Sequence, residues 1–294
     1  VTAQRDRLAG AVAQLATEVS INFGSSLAGL AIPLVGSPVV VAVRQLVMAC
    51  VVLPFYRPKV ANLSWRRLWP ALALGLVLAI MNLTFYEAVD LLGLGVAATI
   101  EFLGPFALAL ASSRRTIDFV CASAAAAGVF LLTWSSGEVN LLGILFALAA
   151  AASWAAYILL TRQVAVTFPG LEGISVASVV SLTLLVPFAL TTVDYSSLNW
   201  DVLGLLLAVG VLSSAFPYTL DTYILRRITP RLYAIITSFG PVVAALFGAL
   251  VLGETFLLQQ VVAIVIVSLA AGVAIATQRE RPKSDLEITA GAIS

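Results

Sequence analysis

Several polar and ionisable side chains interrupt stretches of sequence that otherwise hold only apolar residues: Glu18, Arg44, Glu101 and Asp221, with Asn22, Asn82, Tyr86 and Tyr218 among them. At membrane depth a charged group costs roughly 2.5–3.5 kcal/mol on insertion scales, so such residues face a bundle interior or a cavity. Their chemistry is that of recognition. A guanidinium receives a carboxylate through two parallel hydrogen bonds, and a buried carboxylate holds an ammonium group or a proton. Catalytic chemistry is poorly supplied. The chain has no His, and Cys50 and Cys121 both lie in apolar runs. His-based catalysis, the commonest metal ligand and a disulfide framework are thereby removed, and no metal or cofactor is expected. A membrane-embedded enzyme, such as a lipid-modifying transferase, is disfavoured on the same grounds. No Gly-rich loop ends in Lys-Ser or Lys-Thr, which argues against ATP-driven work by this chain.

Each candidate has a structural alternative. Gln14, Glu18, Asn22, Ser25 and Gly29 recur at spacings of three and four and so form one stripe on a helix. That stripe is either a cavity wall, with Glu18 as substrate contact or proton carrier, or a packing seam of small residues. Arg44 lies five residues, ~8 Å, inside one end of its run. It either pairs with Glu87 or Asp90 at the same level or receives a substrate carboxylate. Glu101 precedes Gly104-Pro105 by one turn, and Pro105 frees the Glu101 carbonyl by removing a backbone donor. It binds an ammonium group or a proton, or it stabilises the kink. Ser214, Pro217, Tyr218 and Asp221 share a face. Asp221 is an inner gate or an interfacial ion pair with Arg226 or Arg227. Trp154, Tyr157 and Thr161 share another face, which lines a pocket or anchors packing.

These residues need long apolar elements to carry them. Of 294 residues 61% are hydrophobic and 11% charged, and mean hydropathy is +1.06; a soluble core has no such composition. Apolar runs cover approximately 8–31, 39–56, 69–89, 94–112, 116–134, 141–161, 173–193, 202–224, 231–252 and 256–277. The first follows Arg5 and Arg7 as a signal peptide would, but it is long and nine similar runs follow, so it reads as a retained helix. Fifteen of the sixteen Lys and Arg residues occupy every second gap between runs, and the other gaps carry only acids: Asp90, Glu138, Asp194, Asp201 and Glu254. Short cytoplasmic loops collect Lys and Arg. The pattern therefore predicts ten transmembrane helices with both termini cytoplasmic. Arg44, the sixteenth cation, is the exception.

The two halves resemble each other. Gly104-Pro105 recurs as Gly240-Pro241 at a spacing of 136. Five spans per half is an odd number, so the second half enters the membrane inverted. The expected plan is an all-α integral membrane protein: a first five-helix repeat over 1–138, an inverted second over 139–278 and a polar cytoplasmic tail over 279–294. Inverted repeats are the plan of many secondary transporters, with the substrate near the midplane between halves. Pro105, Pro217 and Pro241 are then kink or gate positions.

Three stretches carry a resemblance to a family. They are Ser26-Leu-Ala-Gly-Leu-Ala-Ile-Pro-Leu-Val-Gly36 before Arg44; Met81-Asn-Leu-Thr-Phe-Tyr86 through Glu101-Phe-Leu-Gly-Pro105 to Ser112-Ser-Arg-Arg115; and Pro217-Tyr218-Thr-Leu-Asp221 with Leu252-Gly-Glu254-Thr. Over roughly 8–278 the chain resembles the EamA-type exporters of the drug/metabolite transporter superfamily, its amino-acid exporters in particular. That resemblance implies a carrier in the bacterial inner membrane, without bound cofactor, that exports threonine- or homoserine-like amino acids and other small zwitterions by alternating access. It strengthens Arg44, Asn82, Tyr86, Glu101, Trp154 and Tyr218 as cavity residues. Glu18 departs from the neutral residues expected there, and small drug-exporting relatives use a first-helix Glu; organic-cation efflux is the alternative. Partners are then small solutes and the lipid bilayer, with no nucleic acid, and the chain is able to act as a monomer.

Overall fold

The computed structural model describes residues 2–54, 56, 64–111, 115–134, 140–168, 172–193, 195–217, 220, 224 and 227–277. Among these the chain is helical, with no strand. The first half contributes α1 (Thr2–Val35), α2 (Ser37–Val52), α3 (Trp65–Leu92), α4 (Leu94–Glu101), α5 (Leu103–Ala111) and α6 (Thr116–Trp134). The second contributes α7 (Leu141–Thr167), α8 (Glu172–Thr192), α9 (Trp200–Gly210), a π-helical turn (Val211–Ala215), α10 (Pro230–Thr237), α11 (Gly240–Val251) and α12 (Leu258–Thr277). Within the described residues each apolar run falls on helical structure, as one helix, as two in tandem or, for 202–224, as α9 with the π-helical turn and the residues after it to Pro217. Tyr218 and Asp221 lie outside the described residues.

The polarity of α1 is inverted relative to a soluble protein. Leu8, Val12, Leu15 and Val19 face outward, while Gln14, Glu18, Asn22, Ser25 and Ser26 are buried. A hydrocarbon solvent selects this pattern: apolar side chains cost nothing outside, and polar ones need partners inside. Among the described residues, six helical stretches are long and apolar enough to cross a membrane: α1, α3, α7, α8, α10 with α11, and α12. Four shorter apolar stretches accompany them, namely α2, residues 94–108, residues 116–132 and residues 200–215. Helix α3 packs on α7 and α8, α6 on α12, α2 on α8 and α9, and α4 on α7 and α11. Backbones approach closely where small residues allow it. A Cβ on Gly75 of α3 would stand 2.6 Å from the Ala177 carbonyl oxygen of α8.

Two of the apolar runs break, and they break alike. Phe102 between α4 and α5 has φ −63 and ψ −16, and Ser238 after α10 has the same pair of angles. Each stands three residues before a proline, Pro105 or Pro241. Neither proline has the N–H that would bond back to the carbonyl four residues earlier, on Glu101 or Thr237, and this loss is the cause of the kink. The helix links are very short. Gly36 joins α1 to α2 and Gly93 joins α3 to α4, both at φ +83, a conformation glycine adopts at little cost.

The link between α11 and α12 carries Glu254, whose carboxylate reaches across to α4. Oε1 accepts the Leu94 N–H at 2.5 Å and Oε2 the Gly95 N–H at 3.3 Å. Burial pushes the Glu254 carboxyl above its ordinary value, more than these two donors pull it down. No Lys or Arg stands on α4, α11 or α12 to offset that, and the end of α3 adds only Glu87 and Asp90. A folded-state value above the unfolded one means the protonated form is favoured by folding. The stability it contributes is therefore present at and below the ordinary carboxylate value and is lost as pH rises through the raised one. Thermal unfolding in detergent should fall across that window, and Glu254→Gln should flatten the dependence.

Candidate functional site

Arg44, on the inner side of α2, is the centre of a polar cluster drawn from both halves. Its Nε donates to Ser214 Oγ at 2.8 Å, and its Nη1 donates to Asn82 Oδ1 at 2.8 Å and to Tyr86 OH at 3.1 Å. Nη2 donates to the Ser213 carbonyl at 2.9 Å. The guanidinium carbon also lies 5.6 Å from the Tyr86 ring centroid, within cation–π range. Asn82 and Tyr86 are one helical turn apart on α3, so both side chains project from the same face. Asn82 is fixed by its own Nδ2 donating to the Leu78 carbonyl at 2.8 Å. Tyr86 is fully buried, and its hydroxyl lies 3.4 Å from Ser25 Oγ of α1.

The outer ion pair expected as one reading of Arg44 is not what the structure shows. Helix α2 begins at Ser37, so Arg44 is seven residues into it, about 10 Å along the axis. Its two partners on α3, Tyr86 and Asn82, sit one and two turns before Asp90, and neither Glu87 nor Asp90 is among its hydrogen-bond partners. All four acceptors are neutral. The charge that acts on Arg44 from nearby is Glu101, at the end of α4, with which it interacts through space. Glu101 is partly buried, beside the break at Phe102. The Phe102 ring meets Trp154 of α7 edge-on, with centroids 5.9 Å apart. Trp154 therefore stands beside the Glu101 break, whereas Tyr157 packs in the apolar seam between α3 and α7.

Glu18 and Asn22 form a second polar group on the same helix as Ser25. Glu18 Oε1 accepts from Gln14 Nε2 at 3.1 Å, the same nitrogen donates to Thr237 Oγ1 at 3.1 Å, and Asn22 Nδ2 donates to the Glu18 carbonyl at 2.9 Å. Glu18 Oε2 borders Gly240, where an added Cβ would stand 3.4 Å away. So Glu18 faces the break in the second half, and Glu101 belongs to the break in the first. Two turns of α1, about 10 Å, separate Glu18 from Ser25. Pro217 is buried two residues after the π-helical turn, and Pro241 is buried in the first turn of α11.

Ser213 escaped the sequence reading because it contributes a backbone carbonyl. The π-helical turn over Val211–Ala215 widens the helix and places that carbonyl and the Ser214 hydroxyl on one guanidinium; such turns often mark functional positions. Two adjacent serines in an apolar run were the available signal. Thr237, which the Gln14 amide reaches, is the other omission.

The geometry defines the class: among the described residues, an all-helical, multi-pass membrane protein, with Glu18 and Glu101 beside helix breaks and Arg44 bonded to the π-helical turn. The chain belongs to the EamA-like transporter family, whose profile matches residues 141–276. It is 36% identical over 265 residues to the threonine/homoserine exporter RhtA of Salmonella typhimurium strain LT2, covering 89% of this chain and 90% of that one. It is 34% identical over 278 residues to the threonine/homoserine exporter RhtA of Escherichia coli K12, covering 93% and 94% respectively.

Proposed function

We propose that this protein exports small amino acids of the threonine and homoserine kind from the bacterial cytoplasm. The ten helical stretches span the inner membrane as two inverted repeats, with both termini inside, and the halves rock about a cavity at the Arg44 cluster. The observation that carries this reading is the guanidinium itself. It is held by four neutral acceptors from both halves and faces no directly bonded carboxylate, so a substrate carboxylate can exchange with Asn82, Ser214 or the Ser213 carbonyl without breaking an ion pair. Glu101, which shares the local field, takes the substrate ammonium. The relatives, which are threonine/homoserine exporters, supply the substrate class, and a cation and a carboxylate that interact through space supply one group for each end of a zwitterion.

The test is uptake into proteoliposomes loaded with unlabelled amino acid. Labelled threonine and homoserine should accumulate by exchange, and a lipophilic cation should not compete. Competition by the cation without threonine transport would favour organic-cation efflux, a reading supported by the buried Glu18 group. Glu101→Gln should weaken apparent substrate affinity about 10- to 100-fold, the range for losing one charge-assisted hydrogen bond. An unchanged KM in a folded variant would remove Glu101 from the site.

A further inference from the structure

The contact between Glu254 and α4 joins the two halves of the chain on the side whose loops carry only acids. Its geometry is built for a carboxylate. The first N–H groups of a helix have no partner within the helix and carry the positive end of its dipole, and here Leu94 and Gly95 present two of them to Glu254. Glycines make the room. A Cβ on Gly248 would overlap Glu254 Oε2, and one on Gly93 would stand 2.9 Å from Oε1. The link holds its shape through the Glu254 N–H donating to the Gly248 carbonyl at 3.0 Å and through Gly253 at φ +69.

A second, independent observation comes from the repeat. The matching breaks at Phe102 and Ser238, and the matching Gly-Pro pairs, all stand 136 residues apart. The same offset carries Glu254 back to Asp118, and Leu94 forward to Pro230. Asp118 is a buried carboxylate in the first turn of α6, on the basic side of the chain. Pro230 opens α10. In this structure α10 packs on α12 and α1, and its first turn is capped by its own Thr229, whose Oγ accepts the Leu232 N–H at 3.2 Å. The first half thus has its helix start capped from the other half, while its counterpart caps itself.

We infer that Glu254 and Asp118 are paired gate residues of the transport cycle: Glu254 closes the outer side by capping α4, and Asp118 closes the inner side by capping α10 in the opposite conformation. This rests on the alternating-access reading above. The inner contact differs in one respect that the sequence compensates. Pro230 lacks the N–H that Leu94 supplies, but Arg231 adds a guanidinium beside the remaining donors, and that suits a carboxylate. Each conformation then has one capped helix start held across the halves and one released, so that closure on one side is exchanged for closure on the other.

The experiment reads the conformation without substrate. In a background with Cys50→Ser and Cys121→Ser, nitroxide labels are placed at Asp90→Cys and Leu257→Cys, both exposed on the outer side, and their distance distribution is measured in lipid nanodiscs. Glu254→Ala should raise the ratio of long to short distances about tenfold, the scale of one charge-assisted contact. Asp118→Ala should lower it. Glu254→Gln, which keeps one acceptor oxygen and the side-chain shape, should fall between wild type and the alanine variant, and it serves if the alanine variant does not fold. Two populations whose ratio ignores both residues would overturn the gate assignment. A single population in every variant would overturn it too, by removing alternating access itself, and the two failures are told apart by that count.

Discussion

Arg44→Lys is expected to leave the chain folded and to weaken threonine uptake about 10- to 100-fold, whereas Arg44→Ala should abolish it; losing a hydrogen bond to a charged group costs about 1.5–3 kcal/mol. The two substitutions separate recognition from support. Alanine strips the donor from four acceptors at once, Asn82 Oδ1, Tyr86 OH, Ser213 O and Ser214 Oγ. Asn82 and Tyr86 are only 5% and 0% exposed, and each polar group left unsatisfied in such a place costs about 1–3 kcal/mol. Stability falls with function in that variant. Lysine keeps the charge and much of the volume and can still donate to three of the acceptors. It has no planar fork, however, so it cannot hold a carboxylate by two parallel bonds while keeping its anchors. The measurement is the KM for exchange in proteoliposomes together with thermal unfolding in detergent. A lysine variant with the wild-type KM would make Arg44 a strut between α2, α3 and the π-helical turn, and the carboxylate receptor would have to be sought elsewhere.

The sequence carried the positions of the helical stretches, because apolar length and charge spacing are properties of consecutive residues. Fold features that depend on one element meeting another were less legible. The stripe Gln14, Glu18, Asn22 and Ser25 was visible as a buried face, and the structure buries it. Its division into a Glu18 group at Thr237 and a Ser25 contact to Tyr86 was not visible, since Thr237 and Tyr86 belong to distant spans. Arg44 stands out in the sequence as a cation inside an apolar run, but its depth does not, because the helix starts at Ser37, two residues before the apolar run does. The Ser213 carbonyl could not be found from side-chain chemistry at all; only the π-helical turn turns it toward the guanidinium. Glu254 read as one more acid in an outer gap. Its capping of α4 requires the glycines at 93 and 248, which come together only when the two halves pack.

The repeated Gly-Pro pair yields the other large effect, and it falls on one copy only. Gly104→Ala should prevent stable folding, while Gly240→Ala should be tolerated. A Cβ on Gly104 would overlap the carbonyl oxygen of Ala151 and stand 2.7 Å from its carbonyl carbon. Both atoms are backbone in the middle of α7, so no side-chain rotation relieves the overlap. Helix α5 must move off α7, and with it goes the packing that also seats Phe102 against Trp154. Overpacking costs about 1–3 kcal/mol when side chains can yield, and here they cannot, so the penalty belongs at or above the upper end. Gly240 has far more space. Its added Cβ meets only Glu18 Oε2, at 3.4 Å, and that oxygen ends a side chain with several rotatable bonds. Alanine is also the better helix former by about 1 kcal/mol, which offsets a small adjustment. Monodisperse yield and unfolding temperature in detergent check the contrast: Gly104→Ala should lose most of its folded protein, and Gly240→Ala should match wild type. Equal tolerance at both positions would mean that α5 and α7 are not held in the close crossing described, and equal damage would mean that the Glu18 side of the second break is as tightly packed as the first.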